Sequence, residues 1–276
     1  MAVIGAVRSE SASEIRRARM LIDGNWVESA SGEVLPVENP ARRQIIAEIP
    51  RGSAADVDRA VTAASVAFPG WAQMPPRERG RMLLRIGEVL ESRAEAMART
   101  IALETGNALR TQARGEARLA AEGAPLGVLL TAEICHEHLP KGVLNVLTGL
   151  GEECGAPLTR HPSVRKLSFT GSTEVGKLVM GAAAERIVPV SLELGGKSPS
   201  IVFPDANEDW VVDGIAAMRF TRQSQSCTAG SRLFLHADIF DAFLDRLREK
   251  TAALKIGDPL DESDRHRRDH QREAIR

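Results

Sequence analysis

The sequence predicts an α/β protein, in which a parallel sheet is flanked by helices, and two observations indicate this class. From about residue 143 onward, apolar stretches of strand length alternate with stretches of helical periodicity. In addition, a glycine-containing loop follows one predicted strand and opens a predicted helix. Loops of this kind lie at the carboxyl ends of parallel strands, where α/β proteins bind their ligands.

The amino-terminal half predicts a β-ribbon followed by packed helices. Residues 20–27 are typical of a β-hairpin with an Asp-Gly turn, and residues 44–49 of a further strand. Ser53 is a good N-cap for the next helix, with Asp56 at its third helical position.

A longer helix is expected to begin at Pro75-Pro76 and to continue to Glu104, before Gly106 ends it. Its apolar stripe comprises Met82, Leu83, Ile86, Val89 and Leu90.

The carboxyl-terminal half alternates predicted strands with predicted helices. The strands are residues 143–147, 164–169, 187–194, 200–203 and 232–236, and the helices are residues 174–185, 208–220 and 237–254. The last residues, 261–276, are highly charged and lack an apolar period. They are expected to form a frayed or disordered end.

Composition excludes several functional classes. With 276 residues, 43% of them hydrophobic, the chain can bury a sizeable core in one or two domains. Its net charge of −1, with no basic face outside the last dozen residues, argues against a nucleic-acid partner. No apolar run is long enough to span a bilayer.

Localisation is predicted to be cytoplasmic. The first 19 residues include Glu10 and Glu14 and do not resemble a secretory signal. Three widely separated cysteines, Cys135, Cys154 and Cys227, fit a reducing compartment better than a disulfide framework.

The first candidate site is the glycine loop within residues 164–176. Free N–H groups at the start of a helix bind phosphate groups. Gly171, Gly176 and Lys177 partly fit a Walker loop, but Leu178 replaces its magnesium-binding hydroxyl. Thr173 occupies the central glycine position of the dinucleotide fingerprint, so a plain αβ turn is an equally good interpretation of the pattern alone.

The second candidate is Glu193, which lies in an apolar strand directly before Gly195 and Gly196. A carboxylate buried there would have the proton affinity that a general base needs. The alternative, favoured by the residue pattern alone, places Glu193 beside Ser191 on the solvated face of the strand.

The third candidate is Cys227, in a small and polar stretch between a predicted helix and strand. Backbone amides, Arg222 and Arg232 are positioned to favour a thiolate there. By contrast, Cys135 and Cys154 are expected to be small buried hydrophobes. No metal site is predicted: His136 and His138 flank Cys135, but no second ligand cluster would complete the coordination.

Taken together, these segments resemble the NAD(P)-dependent aldehyde dehydrogenase superfamily. Residues 169–176 (FTGSTEVG), 192–199 (LELGGKSP) and 225–232 (QSCTAGSR) match that family in order and spacing. Shorter matches at residues 22–26, 38–40, 103–106 and 141–149 extend the resemblance over nearly all of residues 20–260.

The resemblance implies a mechanism and a division into domains. Cys227 would attack the aldehyde, and Glu193 would activate the water that hydrolyses the resulting thioester. Residues 1–196 would form a Rossmann-like NAD(P)-binding domain, and residues 197–276 a partial catalytic domain with a charged tail from about 261. The cofactor, NAD or NADP, would contact Gly171, Ser172, Thr173, Glu174, Val175, Gly176, Leu194 and Gly195. The substrate would be a small aldehyde, and the family implies a homo-oligomer.

The sequence also departs from the family. Between about residues 107 and 135 it lacks a stretch that includes an oligomerisation hairpin, a strand after Pro-Leu-Gly-Val, and a Pro-Trp-Asn turn whose asparagine donates to the oxyanion. None of Trp26, Trp71 and Trp210 lies in such a turn. Ser224 replaces a usual glycine, and after about Asp261 the rest of the catalytic domain is expected to be absent.

Three functional hypotheses therefore remain open. The chain is a working aldehyde dehydrogenase, with its gaps filled by a partner chain if one is needed; or it is a catalytically silent remnant or nucleotide-binding fragment; or it is a cofactor-independent thiol esterase that uses Cys227 and Glu193. Formation of NAD(P)H from an aldehyde separates the first hypothesis from the others.

Overall fold

The computed structural model describes residues 16–118 and 124–262, and it begins with the predicted β-ribbon. Strands β2 (Met20–Ile22) and β3 (Asn25–Val27) form the hairpin, with both residues of its Asp-Gly turn at positive φ. Strands β4 (Val34–Asn39) and β5 (Gln44–Pro50) pair antiparallel, and β1 (Arg16–Arg17) lies parallel to β5.

Helix α1 (Ala54–Gln73) begins as predicted. Ser53 and Asp56 form a capping box, in which the Asp56 carboxylate accepts from the Ser53 N–H at 3.0 Å. Asp56 also accepts from the Ala30 N–H, so this fully buried carboxylate joins the ribbon to the helix.

The prediction of a single long helix up to Glu104 is wrong. The chain forms α2 (Pro76–Ser92) and α3 (Ala94–Thr105), which are separated at Arg93, where ψ is 4°. This break allows α3 to bury Met97 and Ile101 in the largest core cluster, while Leu83 of the predicted stripe is 57% exposed. Tertiary packing has thus overridden a continuous helical pattern.

The shortened region forms a π-helical turn (Leu109–Ala113), α4 (Arg114–Arg118) and α5 (Pro125–His136). Leu126 and Leu129 of α5 pack against the core of the β-ribbon. The Glu104 carboxylate accepts from the N–H groups of Leu126 and Gly127, at 2.8 Å each, and so satisfies two of the N–H groups that have no acceptor within the first turn of α5.

The strand predicted at residues 143–147 is wrong. Only Val146 is paired, as an isolated antiparallel bridge to Leu21 in the hairpin. Residues 151–155 and α6 (Ala156–Arg160) then form a short helical segment that the sequence pattern did not predict.

The remaining residues confirm the α/β class through two βαβ units. Strands β6 (Leu167–Gly171) and β7 (Val190–Leu194) are parallel and joined by α7 (Thr173–Arg186). Strands β8 (Pro199–Val202) and β9 (Arg232–Leu235) are likewise parallel and joined by α8 (Asp209–Phe220). The two pairs are separate two-stranded sheets rather than parts of one continuous sheet.

After β9, α9 (Phe240–Ala252) packs on α8 around the fully buried Phe243. The chain then returns to the helical region: Pro259 O accepts from the Leu109 N–H at 2.8 Å, and Glu262 pairs with Arg99 and Arg114. Most of the tail predicted to be frayed, residues 263–276, lies outside the described residues. Across the described ranges, no helix has the length and apolarity needed for a membrane span.

Candidate active site

The glycine loop lies where the sequence predicts it, between the end of β6 and the start of α7. Ser172 is the N-cap of α7, and its hydroxyl oxygen accepts from the Val175 N–H at 3.2 Å. The Gly176 N–H donates to Ser172 O, whereas the N–H groups of Thr173 and Glu174 have no protein acceptor in the described part of the chain. These two donors point out of the first turn and are available to an anion.

The end of β7 completes this loop. The Gly195 N–H donates to Gly171 O at 3.0 Å and extends the β6–β7 ladder. A Cβ atom at Gly176 would lie only 2.7 Å from Leu194 Cδ2, so a larger residue there would force the Leu194 side chain to move. The eight residues predicted to contact the cofactor therefore lie in adjoining segments: the end of β6 and its loop, the first turn of α7, and the end of β7.

Glu193 lies on β7 in register with Thr170, next to the glycine loop. Of the two interpretations of Glu193, the structure shows the solvated one: along β7, Ser191 and Glu193 share the exposed face, while Leu192 and Leu194 are half-buried. This is the solvated arrangement that the residue pattern favoured. The carboxylate is open to water. The buried environment that would raise the pKa of a general base is therefore absent.

Cys227 is exposed, in the loop between α8 and β9. The loop is held locally by a Ser226–Thr228 hydroxyl contact of 3.0 Å and by the Ala229 N–H, which donates to Ser226 O at 3.1 Å. The Ser198 hydroxyl approaches Cys227 O at 3.5 Å.

Ser198, which contacts the Cys227 loop, is five residues beyond Glu193 along the chain, so the Glu193 and Ser198 Cα atoms are at most roughly 18 Å apart. Within the described residues, no hydrogen bond joins Glu193 to Cys227. A cavity of about 120 Å³ lies beside the loop, but neither Glu193 nor Cys227 lines it. Its lining consists of Ile215, Arg219, Phe220, Gly230, Ser231, Leu233 and Leu247.

Three consecutive residues before the cysteine adopt an unusual backbone that sequence reasoning missed. Arg222, Gln223 and Ser224 have φ values of 54°, 54° and 66°, in the left-handed region that non-glycine residues seldom adopt. The only signal was that Ser224 stands where the family has glycine, which accounts for one of the three residues.

The other two cysteines have different environments. Cys154 is buried, and its pKa is raised by that burial and by the nearby charge of Asp56. Cys135 is half-buried, and burial raises its pKa also. Over residues 16–118 and 124–262, no three potential metal-binding side chains come together.

Comparison with known proteins finds relatives over most of the chain. The sequence profile of the aldehyde dehydrogenase family matches residues 26–123 and 118–266, in two segments that meet at 118–123. The glutarate-semialdehyde dehydrogenase of Pseudomonas aeruginosa is 31% identical over 319 aligned positions, which cover 90% of this chain and 66% of the relative. The mitochondrial benzaldehyde dehydrogenase of Antirrhinum majus is 32% identical, covering 88% of this chain and 59% of the relative.

The chain spans less than two thirds of the length of either relative. The alignment with the first is also longer than the 276 residues of the whole chain, so that relative has internal positions that this chain lacks. The crystal structure of PnpE in complex with nicotinamide adenine dinucleotide superposes with a TM-score of 0.83 and 32% identity, over 88% of this chain and 64% of that one. On the sequence match and the shared fold, the chain belongs to the aldehyde dehydrogenase family.

Proposed function

We propose that this chain is an aldehyde dehydrogenase-type oxidoreductase, which converts an aldehyde to a carboxylic acid with NAD or NADP through a covalent intermediate on Cys227. The observation that carries the proposal is that the glycine loop, the Glu193 strand and the Cys227 loop are all present and follow one another along the sequence in the family's order. The related PnpE structure, in which NAD is bound, supports the cofactor class.

The glycine loop fits a dinucleotide diphosphate. Thr173 and Glu174 present free N–H groups, and the positive end of the α7 dipole favours an anion at this point. The Ser172 oxygen accepts from the Val175 N–H, which leaves the hydroxyl hydrogen free to donate to a phosphate oxygen. The bound cofactor would supply the hydride acceptor for the oxidation.

The chemistry on the protein begins at Cys227. The thiolate sulfur bonds to the aldehyde carbon, and the carbonyl electron pair moves to oxygen to give a thiohemiacetal. Loss of a hydride from that carbon restores the carbonyl as a thioester. The Cys227 N–H has no protein acceptor in the described part of the chain and is available to donate to the oxyanion.

Hydrolysis of the thioester then requires an activated water. Glu193 is the proposed general base: its exposed carboxylate takes a proton from water, the hydroxide adds to the thioester carbon, and the acid leaves as the Cys227 thiolate is regenerated. Because Glu193 is exposed and does not contact Cys227, it acts on a water that enters from solvent.

We propose that turnover is low. The asparagine donor of the family's Pro-Trp-Asn turn is absent from the sequence, and loss of one oxyanion donor typically costs about 10²–10³ in rate. Imperfect positioning of substrate and cofactor lowers the rate further, because positioning itself contributes several powers of ten.

The test is NAD(P)H production by the purified chain with a panel of aldehydes that includes glutarate semialdehyde and benzaldehyde. We expect slow turnover. The Cys227→Ala variant should abolish it, and the matched variant Cys135→Ala should retain it. Turnover near the ordinary enzyme median of roughly 10 per second would contradict the predicted loss of the donor. Ester hydrolysis without cofactor would favour the thiol esterase hypothesis. Absence of both activities would favour the hypothesis of a catalytically silent remnant.

The cellular setting is also part of the proposal. All three cysteines are free, which suits a reducing cytoplasm, and the expected ligands are a small aldehyde and NAD(P). A homo-oligomer would have to form without the family's oligomerisation hairpin.

A further inference from the structure

The loop that carries Cys227 contacts residues 106–116, which are distant from it in sequence. The Arg222 Nε donates to Glu116 Oε1 at 2.8 Å, and Glu116 is only 8% exposed. One residue on, the Gln223 side-chain amide donates to Gly106 O at 2.7 Å. Both contacts are made by residues in the left-handed region.

Glu116 is itself fixed. The Asn107 side-chain amide donates to both of its carboxylate oxygens, at 3.0 and 3.1 Å. Asn107 is buried and stands next to Gly106, so the two anchors of the cysteine loop belong to one rigid group. Helix α4, which carries Glu116, packs closely on α3.

Left-handed backbone in three successive non-glycine residues is energetically unfavourable. It persists only where surrounding contacts determine it. Here the contacts are the Arg222 and Gln223 bonds just described, and the Ser224 hydroxyl, which donates to Arg219 O at 2.5 Å.

We propose that Glu116 is a positioning residue for Cys227: through Arg222, and together with the Gln223–Gly106 bond, it holds the turn that presents the thiol. The proposal rests on the proposed function only for the nucleophilic role of Cys227. Glu116 acts through its charge and its fixed position, and it does not contact the reacting atoms.

The test is amide hydrogen exchange of residues 221–228 in Glu116→Gln. This variant keeps the shape of the side chain but places an amide donor against the donors of Arg222 and Asn107. Loss of a hydrogen bond between charged groups is expected to speed exchange in this segment about tenfold or more. Glu95→Gln is the matched control: Glu95 pairs with Arg114 on the same α4, but it does not touch the cysteine loop.

Two further readouts separate positioning from general destabilisation. Alkylation of the buried Cys154 should stay at its wild-type rate in Glu116→Gln, because the opening is confined to residues 221–228. In addition, Arg222→Gln combined with Glu116→Gln should exchange no faster than Glu116→Gln alone, because both changes break the same pair.

If Glu116→Gln does not fold, Gln223→Met replaces it, since this exposed side chain can be changed without burying a lone charge. Unchanged exchange at residues 221–228, equal acceleration in Glu95→Gln, or a parallel rise in Cys154 alkylation overturns the proposal. The exchange measurement needs no turnover, so absence of dehydrogenase activity would count against the proposed function and leave this test intact.

Discussion

At the scale of single residues, the environments of the three thiols predict an order of reactivity. Cys227 is exposed, whereas burial protects Cys154 and partly covers Cys135 and raises the pKa of both. The thiolate is the reactive form, so limiting iodoacetamide should label Cys227 first, as measured by mass spectrometry of peptides. Labelling of either other cysteine before Cys227 would refute this, and unfolded protein should label all three alike.

A second prediction at this scale concerns Glu104, which is partly buried at the start of α5. Burial raises its pKa to about 7, and the N–H groups of Leu126 and Gly127 only partly oppose this shift. In the unfolded chain the pKa is near the model-peptide value of about 4.3. The folded form therefore binds the extra proton between these values, and its contribution to stability is present at low pH and lost as pH rises through about 7.

The stability of Glu104→Gln should consequently depend less on pH than that of the wild type. Between pH 5 and pH 8, the wild type should lose roughly 2–3 kcal/mol of unfolding free energy through this group. Urea unfolding at both pH values measures the difference. Glu137→Gln, an exposed carboxylate at the other end of α5, is the control, and an unchanged pH dependence in Glu104→Gln would show the assignment to be wrong.

At the scale of elements, the N-cap of α7 links stability to cofactor binding. Ser172→Ala removes the acceptor for the Val175 N–H and the proposed phosphate donor. The loss of the cap should cost about 1 kcal/mol of unfolding free energy, and affinity for NAD(P) should fall as well. Calorimetric titration and denaturant unfolding measure the two effects, and undiminished affinity despite the lost cap would separate Ser172 from the binding site.

Elements whose signals are local were predictable from the sequence. The Asp-Gly hairpin, the Ser53 capping box and α7 after its Ser172 cap each depend on residues a few positions apart, and each was predicted nearly to its ends. The break at Arg93 was missed because it depends on the tertiary packing of Met97 and Ile101, which lie in the core.

The candidate site divides in the same way. Glycine and serine positions identify the loop around Gly171, and motif spacing identifies Glu193 and Cys227. The exposure of Glu193 follows the alternation along β7 that the residue pattern favoured. The left-handed turn before Cys227 depends instead on long-range contacts, chiefly the Arg222–Glu116 pair, which no local pattern encodes.

At the scale of the whole molecule, both βαβ units have open surfaces. Two-stranded sheets are marginal by themselves, and parallel strands are normally covered on both faces. In the β8–β9 pair, the register partners Ile201 and Phe234 are 63% and 49% exposed, with Phe203 close by at 62%. Such a surface favours association in solution.

Replacing this surface should reduce association without loss of stability. Ile201→Thr with Phe234→Thr keeps residues that suit strands, and surface changes of this kind usually alter the unfolding free energy by about 0.5 kcal/mol or less. Light scattering over a range of protein concentrations should show less association for the double variant. Ser191→Thr on the exposed face of β7 is the control. Unaltered association of the double variant would show that another surface causes the association.

Helix α5 has a consequence for any attempt to restore the stretch that the chain lacks. Pro125 to Val128 carry the Pro-Leu-Gly-Val motif that the family resemblance assigns to the approach of a strand, yet here they form the first turn of a helix. Glu104 caps that turn, and Leu126 fills the ribbon core. Reinsertion of the absent stretch after Val128 would first have to unwind this turn and uncover both contacts.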